Sequence, residues 1–351
     1  MFPEVRPLLR EKHVRFFKRF IITPPFLKNH DNTRISILFF CVSGLEVLNA
    51  LDKEINDDLK KDICNWIYRL QILPDLDGNT DKCGFQGSDT FHIMLDHGIS
   101  HCNSEFATGH LAMTFCSLSV LLLLGDDFSR LNRNAILKGV GSLQQEDGCF
   151  SAVHFGSEKD MRFVYCACCI CYILKDWSFD IDKTVRYIQK SMSYDYGYGQ
   201  GPDLESHGGV TFCAVASLFL MGKLDTTLSQ EQLQGLRKWA LMRQEFGFQG
   251  RANKRHDTCY SFWVGATLKI LDFYDKTDYD KNREFVLSTQ DNLIGGFSKW
   301  VDYTPDPLHT YLGLAGLSFI GKDDLLEIHP ALNISSRAVN FLHKLQNSWV
   351  S

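Results

Sequence analysis

No stretch of this sequence stays apolar long enough to cross a bilayer. The most hydrophobic run, MTFCSLSVLLLLG ending at Gly125, holds about 13 residues, whereas a spanning helix needs roughly 20. The N-terminal MFPEVRPLLREKHVRFFKRF is broken by Arg, Lys and Glu where a secretory signal would be uninterrupted apolar sequence. No leader is read there, and a cytoplasmic location is expected. Nor does charge of one sign dominate. A formal net charge of −5 gives no electrostatic ground for binding DNA, RNA or an anionic membrane surface, so an anionic ligand would need a local basic pocket. Alternation of polar and apolar residues, the mark of half-buried strands, is missing over any useful length. These absences point to an all-α soluble protein.

What is present is ample core material. With 351 residues, 44% hydrophobic and 13% aromatic, the chain can bury a large interior. Its 12 cysteines do not read as a disulfide framework, because four of them fall in CACCIC, Cys166 to Cys171, inside an apolar helical pattern. They fit a reducing compartment and serve as small core residues. Two look-alike motifs fail on inspection. DLDGNTD places Gly78 at the fourth loop position and Gln86 at the twelfth, where a calcium loop wants glycine at the sixth and glutamate at the twelfth. The Asn333 sequon, NIS, is a glycosylation site by pattern only, since nothing routes the chain to the secretory pathway.

Five segments share one shape: GHLAMTFCSLSVLLLLG, MRFVYCACCICYILK, SHGGVTFCAVASLFLMG, HDTCYSFWVGATLKIL and LHTYLGLAGLSFIG. Aligned on Phe115, Tyr165, Phe212, Tyr260 and Tyr311, they recur about every 47 to 51 residues, a period that signals a repeat architecture. Three end in glycine ten positions after the aromatic, at Gly125, Gly222 and Gly321, where a helix would exit through a left-handed residue. More polar segments lie between them, ending in glutamine and a glycine-aromatic turn, as in LQQEDGCF and MRQEFGFQG. Helices apolar on every face need cover all round, while amphipathic ones can face water. A closed ring of about six helix pairs, an α/α barrel, meets both demands; an open solenoid is the alternative and would have ends to cap.

In such a ring, the loops entering the inner helices gather at one end. There the sequence places Arg162, His207, Arg251, Lys254, Asp257, Cys259, Lys299, Asp306 and His309. Asp257 and Cys259 are two apart, which in a continuous helix would point them about 200° from each other. They converge only if the helix begins between them. With His309 from the last repeat, Asp and Cys would bind zinc and leave one position open, as in catalytic sites. A capping Asp beside a buried Cys reads equally well on spacing alone. Arg251 and Lys254, followed by Tyr260 and joined by His207 from the preceding repeat, suggest an anion pocket at helix N-termini.

These residues resemble the β subunits of the protein prenyltransferases, most nearly the type I geranylgeranyltransferase branch. The likeness runs through nearly the whole chain, in HVRFF, WIYRLQILP, KCGFQGS, GSEKDMRFVYCACCICYIL, SMSYD, ESHGG, DTCYSFWVGATLK, STQDNLIGGFSKW and HPALNIS. It implies one α/α toroid domain over residues 1–351, with an N-terminal helical extension and an insertion loop near 74–109. It implies a zinc ion (Zn2+) on Asp257, Cys259 and His309, and a diphosphate pocket of His207, Arg251, Lys254 and Tyr260. A further lysine comes from a separate α subunit, so the chain is expected to be inactive alone. Lys299, in GGFSKW, stands where the farnesyl-transferring relatives have an aspartate that helps hold magnesium; a lysine supplies positive charge directly, and no magnesium requirement is expected.

The resemblance also locates the substrates. Ser36 stands where the farnesyl enzyme closes its lipid pocket with tryptophan, which opens room for another isoprene unit; Leu312 replaces the phenylalanine usual in the type I enzyme. Trp263 and Tyr165 match lipid-lining aromatics. His110, Ala112 and Phe163 match residues around the last residue of the peptide, and Arg162 one near its carboxylate. The implied reaction moves a geranylgeranyl group from geranylgeranyl diphosphate to the cysteine thiol of proteins ending in a CaaX motif, Cys-aliphatic-aliphatic-X with X usually Leu. The small GTPases are such proteins. Farnesyl- and Rab-directed relatives, and a non-catalytic toroidal binding protein, are the alternatives. Terpenoid cyclases share such toroids, yet NDDL, GDDF and GKDDLL lack the DxDD arrangement they need.

Overall fold

A computed structural model of the chain describes residues 6–21, 32–89, 94–95, 98–99 and 107–349. The helices come in chain order as α1 (Arg10–Ile21), α2 (Arg34–Val47), the single-turn α3 (Leu51–Glu54), α4 (Asp57–Arg69) and α5 (Leu111–Leu123). Then follow α6 (Arg133–Ser142), α7 (Met161–Leu174), α8 (Ile181–Lys190), α9 (Gly208–Leu220) and the single-turn α10 (Leu224–Thr227). The last are α11 (Gln230–Leu241), α12 (Tyr260–Ile270), α13 (Tyr279–Ser288), α14 (Pro307–Ser318) and α15 (Ser336–Ser348). Strands among the described residues are two residues long and pair only locally. The fold is the expected helical toroid.

Six inner helices form the ring. α2 packs on α5, α5 on α7, α7 on α9, α9 on α12, α12 on α14, and α14 returns to α2. The open-solenoid alternative is thereby excluded. Their apolar faces meet in one continuous core, while the intervening α4, α6, α8, α11 and α13 keep polar faces outward. α1 packs on α2 and α14 and covers the seam where the ring closes.

A belt of aromatic rings fixes the register of the repeat. Centroids of Phe39 and Phe115 are 5.8 Å apart, Phe115 and Tyr165 5.7 Å, Tyr165 and Phe212 5.1 Å, Phe212 and Phe262 5.2 Å, and Phe39 and Tyr311 5.7 Å. Two corrections follow. The belt residue of the fourth segment is Phe262, not Tyr260, which lies at the first turn of α12 and faces the rim. An all-apolar helix carries no phase by which the sequence could choose between them. The second correction adds a repeat, α2, with Phe39 in the belt.

The residue ten positions beyond each belt aromatic has positive φ in every case: Asn49 (50°), Gly125 (78°), Lys175 (58°), Gly222 (65°), Asp272 (51°) and Gly321 (73°). Glycine or asparagine takes this left-handed exit readily. At the other end, in five of the six repeats, the side chain five positions before the aromatic accepts a backbone N–H at the helix entry. Backbone N–H groups two residues on donate to His110, Asp160, His207 and Asp257, at Ala112 (3.1 Å), Arg162 (2.9 Å), Gly209 (3.1 Å) and Cys259 (3.0 Å). Asp306 does the same for His309 at 2.9 Å.

The exit end of the ring is closed by a hairpin of Ile328–His329 and Ile334–Ser335. Ala331, Leu332 and Ile334 are wholly buried. Tyr165 donates its hydroxyl to Ala331 O (3.0 Å) and Tyr311 to Asn333 O (2.7 Å). Asn333 is itself buried, which rules out its use as a glycosylation site in the folded chain. The described part of the 74–109 segment holds a turn in which Asp75 Oδ1 accepts from the N–H of Asp77 and Asn79; the remainder lies partly outside the described residues.

Candidate functional site

The entry end of the ring collects the chemistry. α12 begins at Tyr260, with Cys259 as its cap in helical dihedrals (φ −67°, ψ −24°), so Asp257 lies outside the helix and the two side chains escape the divergence a continuous helix would impose. The capping and metal-ligand readings of Asp257 turn out to be compatible. Its Oδ1 accepts from Cys259 N–H at 3.0 Å, as the capping residues of three other repeats do. α14 brings His309, whose Nε2 stands 3.4 Å from Asp257 Oδ1. One ligand atom from each of Asp257, Cys259 and His309 lies within 4.8 Å of the others. No other such group occurs among the described residues.

A metal fits this donor set. One thiol, one imidazole and one carboxylate, all at least largely buried, offer three ligands and an open fourth position. His309 Nδ1 donates to Asp306 Oδ2 at 2.6 Å, which leaves Nε2 as the nitrogen facing the other two ligands. Burial alone would depress the His309 pKa, but hydrogen bonds to Asp257 and Asp306 raise it to about 9. Burial opposes charge on Asp257 as well, yet its bonds from His309 and from the Cys259 backbone hold the carboxyl below its usual range. Burial, reinforced by the neighbouring Asp257 charge, pushes the Cys259 thiol well up.

Beside the triad stands a set of donors. His207 Nδ1 accepts the Gly209 N–H, so its other nitrogen, Nε2, carries the proton and donates to Tyr260 Oη at 3.0 Å. Burial first, and Arg251 second, lower the His207 pKa, which keeps this tautomer neutral near pH 7. Gly250 makes the approach possible, since a Cβ there would fall 2.1 Å from Tyr260 Cζ. Arg251 Nη1 pairs with Glu205 Oε2 at 3.0 Å, and Lys299 Nζ lies 3.7 Å from Asp257 Oδ2. Lys254 is exposed on the same loop as Arg251.

The remaining expected residues spread around the ring. His110 packs edge-to-face on Phe163 (5.9 Å) beside the half-buried Ala112. Arg162 is gripped by Asp160, with Nη2 to Oδ2 at 2.7 Å, and by Glu158 at 2.6 Å, a clamp that sequence reasoning missed. Ser36 Oγ donates to Met113 Sδ (3.4 Å) and accepts from Cys116 Sγ (3.8 Å). Trp263 packs on Phe212 at 5.1 Å. Tyr165 and Leu312 sit in the buried core, the first with its hydroxyl spent on the closing hairpin.

Residues 8–334 match the family model of the prenyltransferase alpha-alpha toroid domain. A geranylgeranyl transferase type-1 subunit beta of Dictyostelium discoideum is 38% identical over 340 residues, covering 93% of this chain and 95% of that protein. Its counterpart from Arabidopsis thaliana is 36% identical over 343 residues, covering 93% and 88%. Among solved structures, Candida albicans protein geranylgeranyltransferase-I complexed with GGPP superposes with a TM-score of 0.82 at 27% identity, over 97% of this chain and 99% of that one. A closed ring of six apolar helices, carrying Asp, Cys and His together at its entry end, is thus matched across almost its full length by these relatives, and the chain belongs to the prenyltransferase alpha-alpha toroid family.

Proposed function

We propose that this chain is the catalytic β subunit of a heterodimer that transfers a geranylgeranyl group from geranylgeranyl diphosphate to the cysteine of proteins ending in Cys-aliphatic-aliphatic-X, with X usually Leu. The observation that carries the reading is the gathering of Asp257, Cys259 and His309 within 4.8 Å, next to the His207–Tyr260 pair, Arg251 and Lys299. A soft, mixed N/O/S donor set suits zinc. A bound zinc would lower the pKa of an incoming thiol from its usual value of about 8.5.

This chain's own residues do the rest. As the bond from C1 to the diphosphate oxygen breaks, negative charge grows on that oxygen. Preorganised donors act most strongly where charge develops, and Tyr260, Arg251, Lys254 and Lys299 supply them. His207 orients the Tyr260 hydroxyl by donating to its oxygen. Lys299 provides the charge that magnesium gives in farnesyl-transferring relatives, so none is required. Ser36 leaves space for a twenty-carbon lipid where a tryptophan would stop a fifteen-carbon one. His110, Ala112, Phe163 and Arg162 receive the end of the peptide.

The α subunit is expected at the rim. Tyr194, Leu293, Phe155 and Met242 are 96%, 89%, 69% and 61% exposed, and all lie in or beside the turns that feed the inner helices. Apolar exposure of that kind marks a face that a partner covers. Eleven described cysteines, all free and buried, fit a cytosolic setting. The test is co-expression with a prenyltransferase α subunit, then transfer to peptides ending in Leu, Met or Ser from both prenyl donors. Geranylgeranylation of the Leu peptide, with about one zinc per β subunit that is lost in Cys259→Ala, is the expected result. Preference for a farnesyl donor with Met or Ser ends would overturn the subtype, and absence of transfer the function.

A further inference from the structure

Trp300 follows Lys299 in the segment leading to α14, and its indole lies beneath two cations. Lys299 Nζ stands 4.5 Å from the ring centroid, and Arg255 Cζ 4.9 Å. Tyr303 meets the ring edge-on at 5.2 Å. The indole Nε1–H is buried and has no hydrogen-bond partner among the described residues. The position is therefore not explained by a hydrogen bond from the indole; its polar contacts are those of its π-face.

The two cations come from different repeats. Arg255 belongs to the loop that also carries Arg251 and Lys254, before α12, whereas Lys299 follows the glycine turn before α14. The Lys299 backbone is already anchored, since its carbonyl accepts from Thr258 N–H at 3.2 Å. Its four-carbon side chain is 45% exposed and is held by a 3.7 Å ion pair to Asp257 Oδ2 and by the indole face. Cations drawn toward one site repel each other, and an aromatic face beneath them offsets that repulsion. It also restricts the rotamers of a flexible lysine before any anion arrives, which is what preorganisation requires.

We propose that Trp300 is a positioning residue that holds Lys299 and Arg255 together beside the metal triad, so that the cationic wall for an allylic diphosphate is assembled before the substrate binds. This rests on the transfer reading above. The experiment uses the heterodimer with Trp300→Leu, Trp300→Phe, Lys299→Ala and the Trp300→Leu/Lys299→Ala pair. Turnover and KM for geranylgeranyl diphosphate are measured alongside zinc content. Trp300→Leu should lower kcat about tenfold, with zinc stoichiometry and peptide KM unchanged, and Trp300→Phe should recover most of it.

The double variant should lose less than the product of the two single losses, keeping only the share that Trp300 exerts through Arg255. A merely structural tryptophan would instead lose zinc, or add its full effect to that of Lys299→Ala, and either result overturns the proposal. Wild-type turnover in Trp300→Leu, with Lys299→Ala impaired, overturns it while leaving the transfer reading intact. A wild-type heterodimer that transfers no prenyl group overturns both.

Discussion

Tyr260 reaches the rim because residue 250 has no side chain. Its ring would collide with a Cβ there, at 2.1 Å from Cζ and 2.3 Å from the hydroxyl oxygen, and the Gly250 carbonyl meanwhile accepts from Gly208 N–H at 2.7 Å. The backbone of one repeat is thus pinned against the helix start of the one before it. Gly250→Ala must push the tyrosine away from His207 without replacing Asp257, Cys259 or His309. The expected outcome is a kcat reduced about a hundredfold, near the size seen when one preorganised donor is lost, with zinc content unchanged. Tyr260→Phe should show a loss of the same order, and full turnover in Gly250→Ala would mean that the Tyr260–His207 pair takes no part in the chemistry. Asp257 makes a related point about single residues. It first accepts a backbone N–H at a helix entry as its counterparts in other repeats do, and its neighbours Cys259 and His309 make the same carboxylate part of a candidate metal site.

Among the elements, α1 is attached through a histidine that responds to pH. His13 on α1 is fully buried; its Nδ1 accepts from Gly296 N–H at 2.9 Å and its Nε2 lies 3.0 Å from Gln290 Oε1. The ring stacks on Phe297 at 4.6 Å, so the helix grips the glycine turn that leads to Lys299. Burial lowers the His13 pKa from 6.5 to about 4. The unfolded chain then binds more protons than the folded one between those values, and stability falls as pH drops from about 6.5 toward 4. The full span corresponds to about 3 kcal/mol. Denaturation measured across this range should steepen in that window, and His13→Gln should flatten the slope. An unchanged slope would show that α1 is not held through a neutral histidine.

The helices differ in how far the sequence announced them. Five inner helices were legible because their apolar runs recur with glycine, or an aligned residue, at the exit. α2 was not, because its left-handed exit is Asn49 rather than glycine and its entry shares no motif with the others; asparagine ten positions after Phe39 was the signal available. The convergence of Asp257, Cys259 and His309 was legible from junction spacing together with family likeness. The Asp160 clamp on Arg162, the Gly250 contact and the Trp300 cations were not, because each depends on which side chains the ring brings together across turns.

At the scale of the whole molecule, closure sets the stability. An open array of repeats can fray from its ends, each unit depending only on its neighbours, but here α14 packs back on α2 and the closing hairpin ties the last segment to the first ring helix. Glu46 of α2 is 1% exposed. It accepts from Ser335 Oγ at 2.7 Å and from Arg337 Nε at 2.9 Å, with a second bond from Arg337 Nη2. Arg337→Ala would leave that buried carboxylate with the serine as its remaining partner, a loss of about 2 kcal/mol once the solvent exposure of the arginine is allowed for. In a closed ring the loss has to be felt on the far side as well. Amide exchange in α9, which does not border α2, should accelerate along with exchange in α2 and α14, and thermal unfolding should remain a single transition at lower temperature. Acceleration confined to α2, α14 and α15 would mean that the repeats open independently and that the ring is closed in geometry only.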